Sequence, residues 1–440
     1  MEELQIPKRI STTILNSLTG GVVPRIGLEY ITVGRKNEVD AILNDINNIE
    51  QEGASFRFIV GKYGSGKSFL LQLIRSHAME KGLVVLDADL SPERRFVGNK
   101  GQGLATYREL IKNMSTKTKP DGGALTLIIE KWLSGIQLVV MQENNISSDN
   151  PKFLSLVKIK IGQVINDLEG MVHGFDFSRI LSLYLEAYMN GEDEKKSCLL
   201  KWLRGEYGTK TEAKREIDIN TIVNDDNWYD YLKILSQFVV HAGYKGMIII
   251  IDELVNLYKI PQSISRQYNY EKILTMFNDT MQGKAKNLGI ILAGTPQCIE
   301  DTRKGIFSYE ALKSRLQEGK FNNGIKDMLG PIIRLKTLTY EELFVLIEKL
   351  KQIHEHHYGY KSNLQHDDMM FFMKMEFERI GANENITPRE VIRDFLEILN
   401  ILYQNPDLKV SDIINSSDFK FSNSEDSDET IHQEFAEFEL

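Results

Sequence analysis

The chain has 440 residues, 42% of them hydrophobic and 26% charged, so it has enough apolar sequence to bury the core of about two or three domains. Its net charge is −9 and it has two cysteines, Cys198 and Cys298, which excludes a disulfide scaffold, a thiolate zinc site and a uniformly basic nucleic-acid coat. The first nine residues are polar, and no window approaches the roughly 18 apolar residues of a membrane span. We therefore expect a cytoplasmic protein with no membrane association.

Short apolar runs alternate with stretches of helical periodicity along the first 300 residues. The apolar runs lie at 56–60, 83–86, 247–251 and 289–293. Near-continuous apolar runs of this length, separated by helices, are typical of a parallel sheet that is covered on both faces. We therefore predict an α/β fold with a central parallel sheet.

About 160 residues separate the second and third predicted strands, far more than one crossover connection needs. Helical spacing in this stretch occurs at 104–113, 125–142, 153–168, 177–190 and 228–241. These patterns predict a large helical insertion over 104–222. Helical spacing returns from Tyr340 to Tyr403, with Thr339 as a predicted N-cap and Thr387-Pro388 at the start of a further helix.

Two features of the C-terminal part are interpreted conservatively. The run His354-Glu355-His356-His357 resembles a metal cluster, but we interpret it as a solvated helix face, and Met369 to Met373 as lid core. Residues 418–440 carry a net charge of −7 and are rich in Ser and Asp, so we expect disorder. Their last six residues alternate aromatic and acidic side chains, which indicates either a solvated end or docking on a basic partner.

A phosphate-binding pattern is the most specific motif in the chain. Residues 61–68, Gly-Lys-Tyr-Gly-Ser-Gly-Lys-Ser, match G-x-x-x-x-G-K-[ST] between a predicted strand and a predicted helix. Phosphate oxygens need several backbone N–H groups at close range, and Gly64 and Gly66 let the backbone approach. The helix start adds its positive dipole end. We predict that Lys67 binds the β- and γ-phosphates of ATP and that Ser68 ligates Mg²⁺.

An Asp-Glu pair follows the third predicted strand and supplies the second half of the site. Ligands of open α/β folds bind at the carboxyl edge of the sheet, where this strand delivers Asp252 and Glu253. Asp252 is predicted to hold Mg²⁺ and Glu253 to polarise the attacking water, which makes the protein a hydrolase rather than a kinase. The alternative is that the pair merely caps the next helix.

Three further residues are candidates for catalysis. Thr295 ends the fourth strand and is predicted to sense the nucleotide state, unless it is a simple turn and N-cap. Arg315 is a candidate to reach the γ-phosphate of a neighbouring subunit, unless it is an ordinary exposed arginine. Arg389 is the predicted lid arginine, with Arg393 one turn further on as the alternative.

Residues before the phosphate loop supply a candidate adenine-binding strap. Val33-Gly34-Arg35 precedes an amphipathic helix and is predicted to act together with Gly21–Arg25, unless the segment is a linker. The predicted nucleotide-binding residues are Val33, Arg35, Gly61, Tyr63, Gly64, Ser65, Gly66, Lys67, Ser68 and Phe69.

The order of these motifs resembles the AAA+ ATPases, in particular the origin-recognition branch, and more specifically the BREX-type phage-defence ATP-binding proteins (BrxD-like), which are also found in Shango-type systems. The segments that carry the closer resemblance are Asp89–Arg95, Gly101–Leu110, Trp202–Glu206 and Thr387–Glu390. The resemblance implies an ATPase that acts on or around DNA with a partner helicase and other defence-cluster proteins. It also implies a homo-oligomer in which Arg315 completes a neighbouring site.

The resulting domain prediction is 1–50 for the strap and first helix, 51–103 for the first part of the ATPase core, 104–222 for the insertion, 223–338 for the second part of the core, 339–404 for a helical lid and 405–440 for an acidic tail. Origin-type ATPases usually carry a winged helix after the lid, and the acidic tail does not fit one. We therefore expect any DNA contact from basic stretches such as 92–100 and 210–215. A non-catalytic nucleotide-gated scaffold and a DNA-binding initiator stay open as alternatives.

Overall fold

The computed structural model describes residues 5–316, 328–379 and 387–414. The chain divides into two compact units. The strap–lid unit comprises Met1–Val39, Gly61–Ser76 and Arg334–Leu440, and the sheet unit comprises Asp40–Val60 and His77–Ile333. The predicted tail at 415–440 lies outside the described residues.

The strands are β1 Ala54–Val60, β2 Val84–Asp89, β3 Met247–Asp252, β4 Leu288–Gly294 and β5 Ile332–Arg334. The helices are α1 Lys8–Thr19, α2 Leu28–Ile31, α3 Lys36–Glu50, α4 Lys67–Glu80, α5 Gln102–Lys112, α6 Leu125–Asn144, α7 Phe153–Glu169, α8 Gly174–Asn190, α9 Asp193–Leu203, α10 Lys210–Ile217, α11 Trp228–His241, α12 Val255–Tyr258, α13 Ser263–Met281, α14 Pro296–Glu300, α15 Glu310–Leu316, α16 Tyr340–Tyr358, α17 His366–Arg379, α18 Pro388–Gln404 and α19 Val410–Ile414.

The five strands form one sheet in the order β2-β3-β4-β1-β5. The pairs β2–β3, β3–β4 and β4–β1 are parallel, and their residues are almost all buried, as expected for a sheet that is covered on both faces. The α/β prediction and its four strands are confirmed. The short strand β5 was not predicted, since three residues carry no readable periodicity.

A buried ion pair fixes the chain next to β1. The Arg57 guanidinium is bidentate to Asp45, at 2.6 and 2.7 Å, and both side chains are largely shielded from solvent. The same guanidinium also donates to the carbonyl oxygens of Leu329 and Gly330, just before β5. A charge buried this deeply requires such a complete set of partners.

The helices of the predicted insertion share one hydrophobic core with the sheet. Trp132 of α6 and Phe177 of α8 both pack edge-on against Phe238 of α11, with ring centroids 5.2 and 5.8 Å apart. The insertion helices are therefore part of the sheet unit, and the exact domain boundaries stay predictions.

Two of the segments that carry the family resemblance contact each other: Gly101–Leu110, which forms most of α5, and Trp202–Glu206. The hydroxyl of Tyr107 donates to the carbonyl of Leu203, and Arg108 Nε donates to the carbonyl of Gly205, both at 2.7 Å. Asp225 accepts hydrogen bonds from the N–H groups of Gly101 and Leu104 at 2.9 and 2.8 Å. These contacts give the segments a packing role.

Helix α6 corrects one expectation from the sequence. By length and composition it is apolar enough to cross a membrane, so the statement that no window approaches a span was wrong. One side of α6, with Leu125, Ile129, Trp132 and Leu133, is buried in the core of the sheet unit. The core helix of a globular domain meets the same length and composition test.

The strap–lid unit has its own core, in which α1 and α16–α19 pack together. Thr339 and Thr387 each form a capping box, with Glu342 and Glu390 as the third helical residues, so both predicted N-caps are confirmed. Met369, Phe372 and Met373 are buried and Met370 is exposed, so the predicted lid core is confirmed in part. Helix α1 was not predicted, although its Ile14 and Leu18 contribute to this core.

The histidine run on α16 is a solvated face only in part, since His356 is exposed and His354 is buried. His354 is 1% exposed, with its ring nitrogens 2.9 Å from the hydroxyl of Tyr360 and 3.1 Å from Oδ1 of Asn400. His356 Nε2 donates to a backbone carbonyl before α1, and His357 Nδ1 lies 2.9 Å from Oγ of Ser11. The interpretation failed for the buried part of the run because it did not include α1, which covers this side of α16.

Candidate functional site

The phosphate loop has the backbone that its sequence predicts. Gly64 and Gly66 have φ values of +74° and +86°, a left-handed conformation that glycine adopts without strain. Helix α4 begins at Lys67, so its first N–H groups are next to the loop. A Cβ on Gly61 would overlap Oγ of Ser65 and lie 3.1 Å from Cβ of Leu335, so the start of the loop has little room for a larger residue.

Two polar groups of the loop fit a bound phosphate. The ammonium of Lys67 donates to the carbonyl oxygens of Gly61 and Lys62, at 3.0 and 3.1 Å, and is thereby held inside the loop. The hydroxyl of Ser65 is buried and has no hydrogen-bond partner among the described residues. A compact cation and an unsatisfied donor in a ring of backbone amides are the groups that a triphosphate needs.

Arg35 holds the phosphate loop through hydrogen bonds to backbone carbonyl oxygens. It is 5% exposed and donates to the carbonyl oxygens of Ser65 and Lys336 at 2.7 and 3.0 Å. Burial lowers the pKa of its guanidinium, and the carboxylates of Glu38 and Glu342 partly offset this effect. The geometry gives Arg35 a positioning role in the strap–lid unit, whereas direct contact of Arg35 or Val33 with nucleotide stays a prediction.

The lid helix meets the phosphate loop within the strap–lid unit. A Cβ added to Gly64 would lie only 2.5 Å from the Cγ2 methyl of Thr387, the N-cap of α18. Two residues further on, Arg389 Nη1 lies 3.3 Å from the hydroxyl of Tyr63. The structure therefore brings Arg389 to the loop, as predicted for a lid arginine.

In the sheet unit, three parallel strands end at one edge. Val60 of β1 pairs with Gly294 of β4, and Ile251 of β3 pairs with Leu292. Because the strands are parallel, Asp252 at the end of β3 and Thr295 directly after β4 lie at this edge. The phosphate loop follows β1 directly in the chain.

Glu253 has an unusual backbone. Its φ is +62°, in the left-handed region that costs an L-residue roughly 1–2 kcal/mol. The N–H of Glu253 donates to Oδ1 of Asp252 at 2.7 Å, and the next N–H, of Leu254, donates to the carbonyl of Ala293 on β4. Strain of this kind is typical of functional sites, and the sequence pattern did not reveal it.

A further carboxylate lies beside Asp252. Asp89, at the end of β2, pairs with Asp252 across the sheet. Desolvation by its surroundings, together with the negative charges of Asp252 and Asp87, raises the pKa of the Asp89 carboxyl. Carboxylates that repel one another in this way are stabilised by a cation, which fits the predicted Mg²⁺ site.

The other two predicted residues are placed as follows. Thr295 is the N-cap residue of α14, although its side chain makes no capping hydrogen bond, so its role as a nucleotide sensor stays a prediction beside the turn and N-cap alternative. Arg315 is exposed on α15, where its Nη1 donates to the carbonyl of Ala311 at 2.7 Å. In the described part of the chain, no contact joins Arg315 to the other predicted site residues.

A phosphate loop between a strand and a helix, on a parallel sheet with an acidic strand end, defines a P-loop nucleotide-binding protein. The chain matches the family model "BREX system ATP-binding protein BrxC/D" over residues 6–418. It therefore belongs to this family, which confirms the resemblance seen in its sequence and makes it an ATP-binding component of BREX defence.

Among solved structures, the chain is similar to the Orc1 protein of Aeropyrum pernix in complex with DNA. The two are 12% identical, with a TM-score of 0.38 and coverage of 91% of this chain and 66% of the Orc1 chain. The chain thus spans slightly less than two thirds of that protein. No curated protein matches the sequence.

Proposed function

We propose that the protein is an AAA+-type ATPase that hydrolyses ATP within a BREX anti-phage system and uses the cycle to remodel or regulate a helicase–DNA complex. The proposal that the protein binds ATP is supported by its membership of the BREX ATP-binding family and by its phosphate loop. The observation that carries hydrolysis is Glu253, which is held in a strained backbone directly after Asp252 at the carboxyl edge of the sheet. Left-handed residues also occur at helix ends of this chain, such as His173 before α8, so it is the position of Glu253 next to Asp252 that favours a catalytic role over a helix cap.

Each part of the site has a distinct role in this proposal. Lys67 and the loop amides bind the β- and γ-phosphates, and Ser68 and Asp252 hold Mg²⁺, which when bound neutralises phosphate charge. Glu253 orients the attacking water and accepts its proton. Thr295 hydrogen-bonds near the γ-phosphate and so reports whether it is present.

The active form is proposed to be a homo-oligomer. Arg315 is exposed on α15 and is proposed to enter the ATP site of a neighbouring subunit as an arginine finger. Such an arginine stabilises the charge of the transition state and raises the rate by orders of magnitude. In this arrangement an isolated protomer binds ATP and turns it over slowly. The helicase and DNA are proposed as further partners through the BREX complex.

Changing Glu253 to Gln tests the proposal. The variant retains side-chain volume and loses the base, so we expect ATP binding at wild-type affinity, a fall in turnover of roughly 10²-fold or more, and loss of phage defence. Glu271→Gln, an exposed glutamate on α13, is the matched control and should change nothing. Lys67→Ala should abolish ATP binding itself.

Two results would count against the proposal. Wild-type turnover in Glu253→Gln would remove Glu253 from the reaction. Full defence without turnover would make the protein a nucleotide-gated scaffold instead.

A further inference from the structure

Tyr63 occupies a variable position of the phosphate loop and is 64% exposed. Its hydroxyl lies 3.3 Å from Nη1 of Arg389, and the guanidinium carbon lies 5.9 Å from the centre of the ring. An aromatic ring this exposed contributes little to a core. Among the described contacts, the partner of the Tyr63 side chain is the lid arginine.

The strap lies near the same arginine on another side. Gly21 has a φ of +68°, and a Cβ added there would lie 3.7 Å from Cδ of Arg389, so the space between them would accept one further carbon. The contact that orients the Arg389 side chain before any ligand arrives is therefore the one between its guanidinium and Tyr63.

The contact with Tyr63 leaves the guanidinium of Arg389 able to bind an anion. A phenol accepts one hydrogen bond from a guanidinium and does not neutralise its charge, whereas a carboxylate at the same position would do so. In the described part of the chain, neither a salt bridge to Arg389 nor a second hydrogen bond from its guanidinium is found, so the guanidinium can still bind an anion.

We propose that Tyr63 is a positioning residue for Arg389: its ring and hydroxyl hold the guanidinium at the phosphate loop, so that the protein distinguishes ATP from ADP by the γ-phosphate. This inference rests on the proposed function, in which Arg389 is the lid arginine of an ATP site. Fixing the arginine in advance lowers the entropy lost when the triphosphate binds. ADP, which has no γ-phosphate, gains little from it.

The test measures dissociation constants for ADP and for a non-hydrolysable ATP analogue, with Mg²⁺, in five proteins: wild type, Tyr63→Phe, Tyr63→Ala, Arg389→Ala and the Tyr63→Ala/Arg389→Ala double variant. Exposed cation–π and hydrogen-bond contacts of this size predict a fall of roughly 3- to 10-fold in analogue affinity for Tyr63→Ala, with ADP affinity within about 2-fold of wild type. Tyr63→Phe, which keeps the ring, should lie between.

The double variant is the decisive comparison. Because Tyr63 acts through Arg389, the double variant should bind the analogue no more weakly than Arg389→Ala alone. Tyr268→Ala removes a tyrosine of similar exposure on α13 and should leave both constants unchanged.

The results separate the inference from the function on which it rests. Equal losses for ADP and analogue in Tyr63→Ala, or effects that multiply in the double variant, would show that Tyr63 serves the loop itself and overturn the inference. An unchanged ATP preference in Arg389→Ala would overturn it as well. A wild-type protein that binds neither nucleotide would instead contradict the proposed function.

Discussion

Gly64 of the phosphate loop lies against the N-cap of the lid helix, and its replacement by alanine tests their contact. Two costs arise. The φ of +74° places an alanine in the left-handed region, at roughly 1–2 kcal/mol. The new methyl would also lie 2.5 Å from Cγ2 and 2.8 Å from Cβ of Thr387, against about 3.5–4.0 Å for ordinary carbon contacts. The helix start must therefore retreat by about 1 Å.

This movement has a consequence for ATP binding. Thr387 is the N-cap of α18, and Arg389 lies in the first turn of that helix. We expect Gly64→Ala to lower ATP affinity by roughly 10-fold or more, because a loop that relaxes to relieve the strain must regain its left-handed conformation to bind phosphate, and roughly 1–2 kcal/mol corresponds to a factor of about 5–30. Isothermal titration of purified variants, with thermal melting to verify folding, measures the effect.

Two further variants separate the costs. Gly283→Ala has the same left-handed strain, with φ +72° and no neighbour within 4 Å of the new methyl, and should leave ATP affinity unchanged. Thr387→Ser removes the obstructing methyl and retains the hydroxyl that caps α18. The Gly64→Ala/Thr387→Ser protein should therefore recover part of the lost affinity. Wild-type affinity in Gly64→Ala, or no recovery in the double variant, would show that the contact between Gly64 and Thr387 does not control ATP affinity.

Two other predictions concern stability. Burial lowers the pKa of His354 below that of an unfolded histidine, so the unfolded chain binds the proton more readily. The contribution of His354 to the free energy of unfolding is therefore fully present above pH about 6.5 and decreases as the pH falls below it. Thermal melts between pH 7.5 and 5.5 should show this loss, and His354→Gln should flatten the profile; equal slopes would contradict it. Asp45→Asn leaves the buried Arg57 guanidinium without its counter-charge and should cost about 3–5 kcal/mol in denaturant unfolding. Glu80→Gln breaks an exposed pair with Lys117 and should cost less than about 1 kcal/mol, so similar losses in both would show that burial is not the cause.

Local patterns were sufficient for much of the site. The phosphate loop was predictable because its glycines and lysine act within eight consecutive residues, and the positive φ values of Gly64 and Gly66 follow from their lack of a Cβ. Both capping boxes were predictable for the same reason, since an N-cap and its third helical residue are neighbours in the chain. The apolar run that ends in Asp252 predicted both the strand and its edge.

Features that depend on distant partners were not predictable. His354 looked solvated because its run is polar, and it is buried because α1 and α18 pack against α16, where Asn400, 46 residues further on, accepts its hydrogen bond. The short β5 exists because β1 offers it a free edge, and Pro331 accepts from the N–H of Phe58. A strand of three residues has no pattern of its own.

Consecutive residues were sufficient to predict the nucleotide class, the family and the strands that deliver the acidic pair, because each is encoded locally. The contact between Arg389 and Tyr63, 326 residues earlier, and the left-handed backbone of Glu253 became visible only in the fold. The difference lies in the range of the interactions. Helix caps and glycine turns are satisfied by near neighbours, whereas the lid arginine and the strained glutamate are held by packing between segments that only the fold brings together.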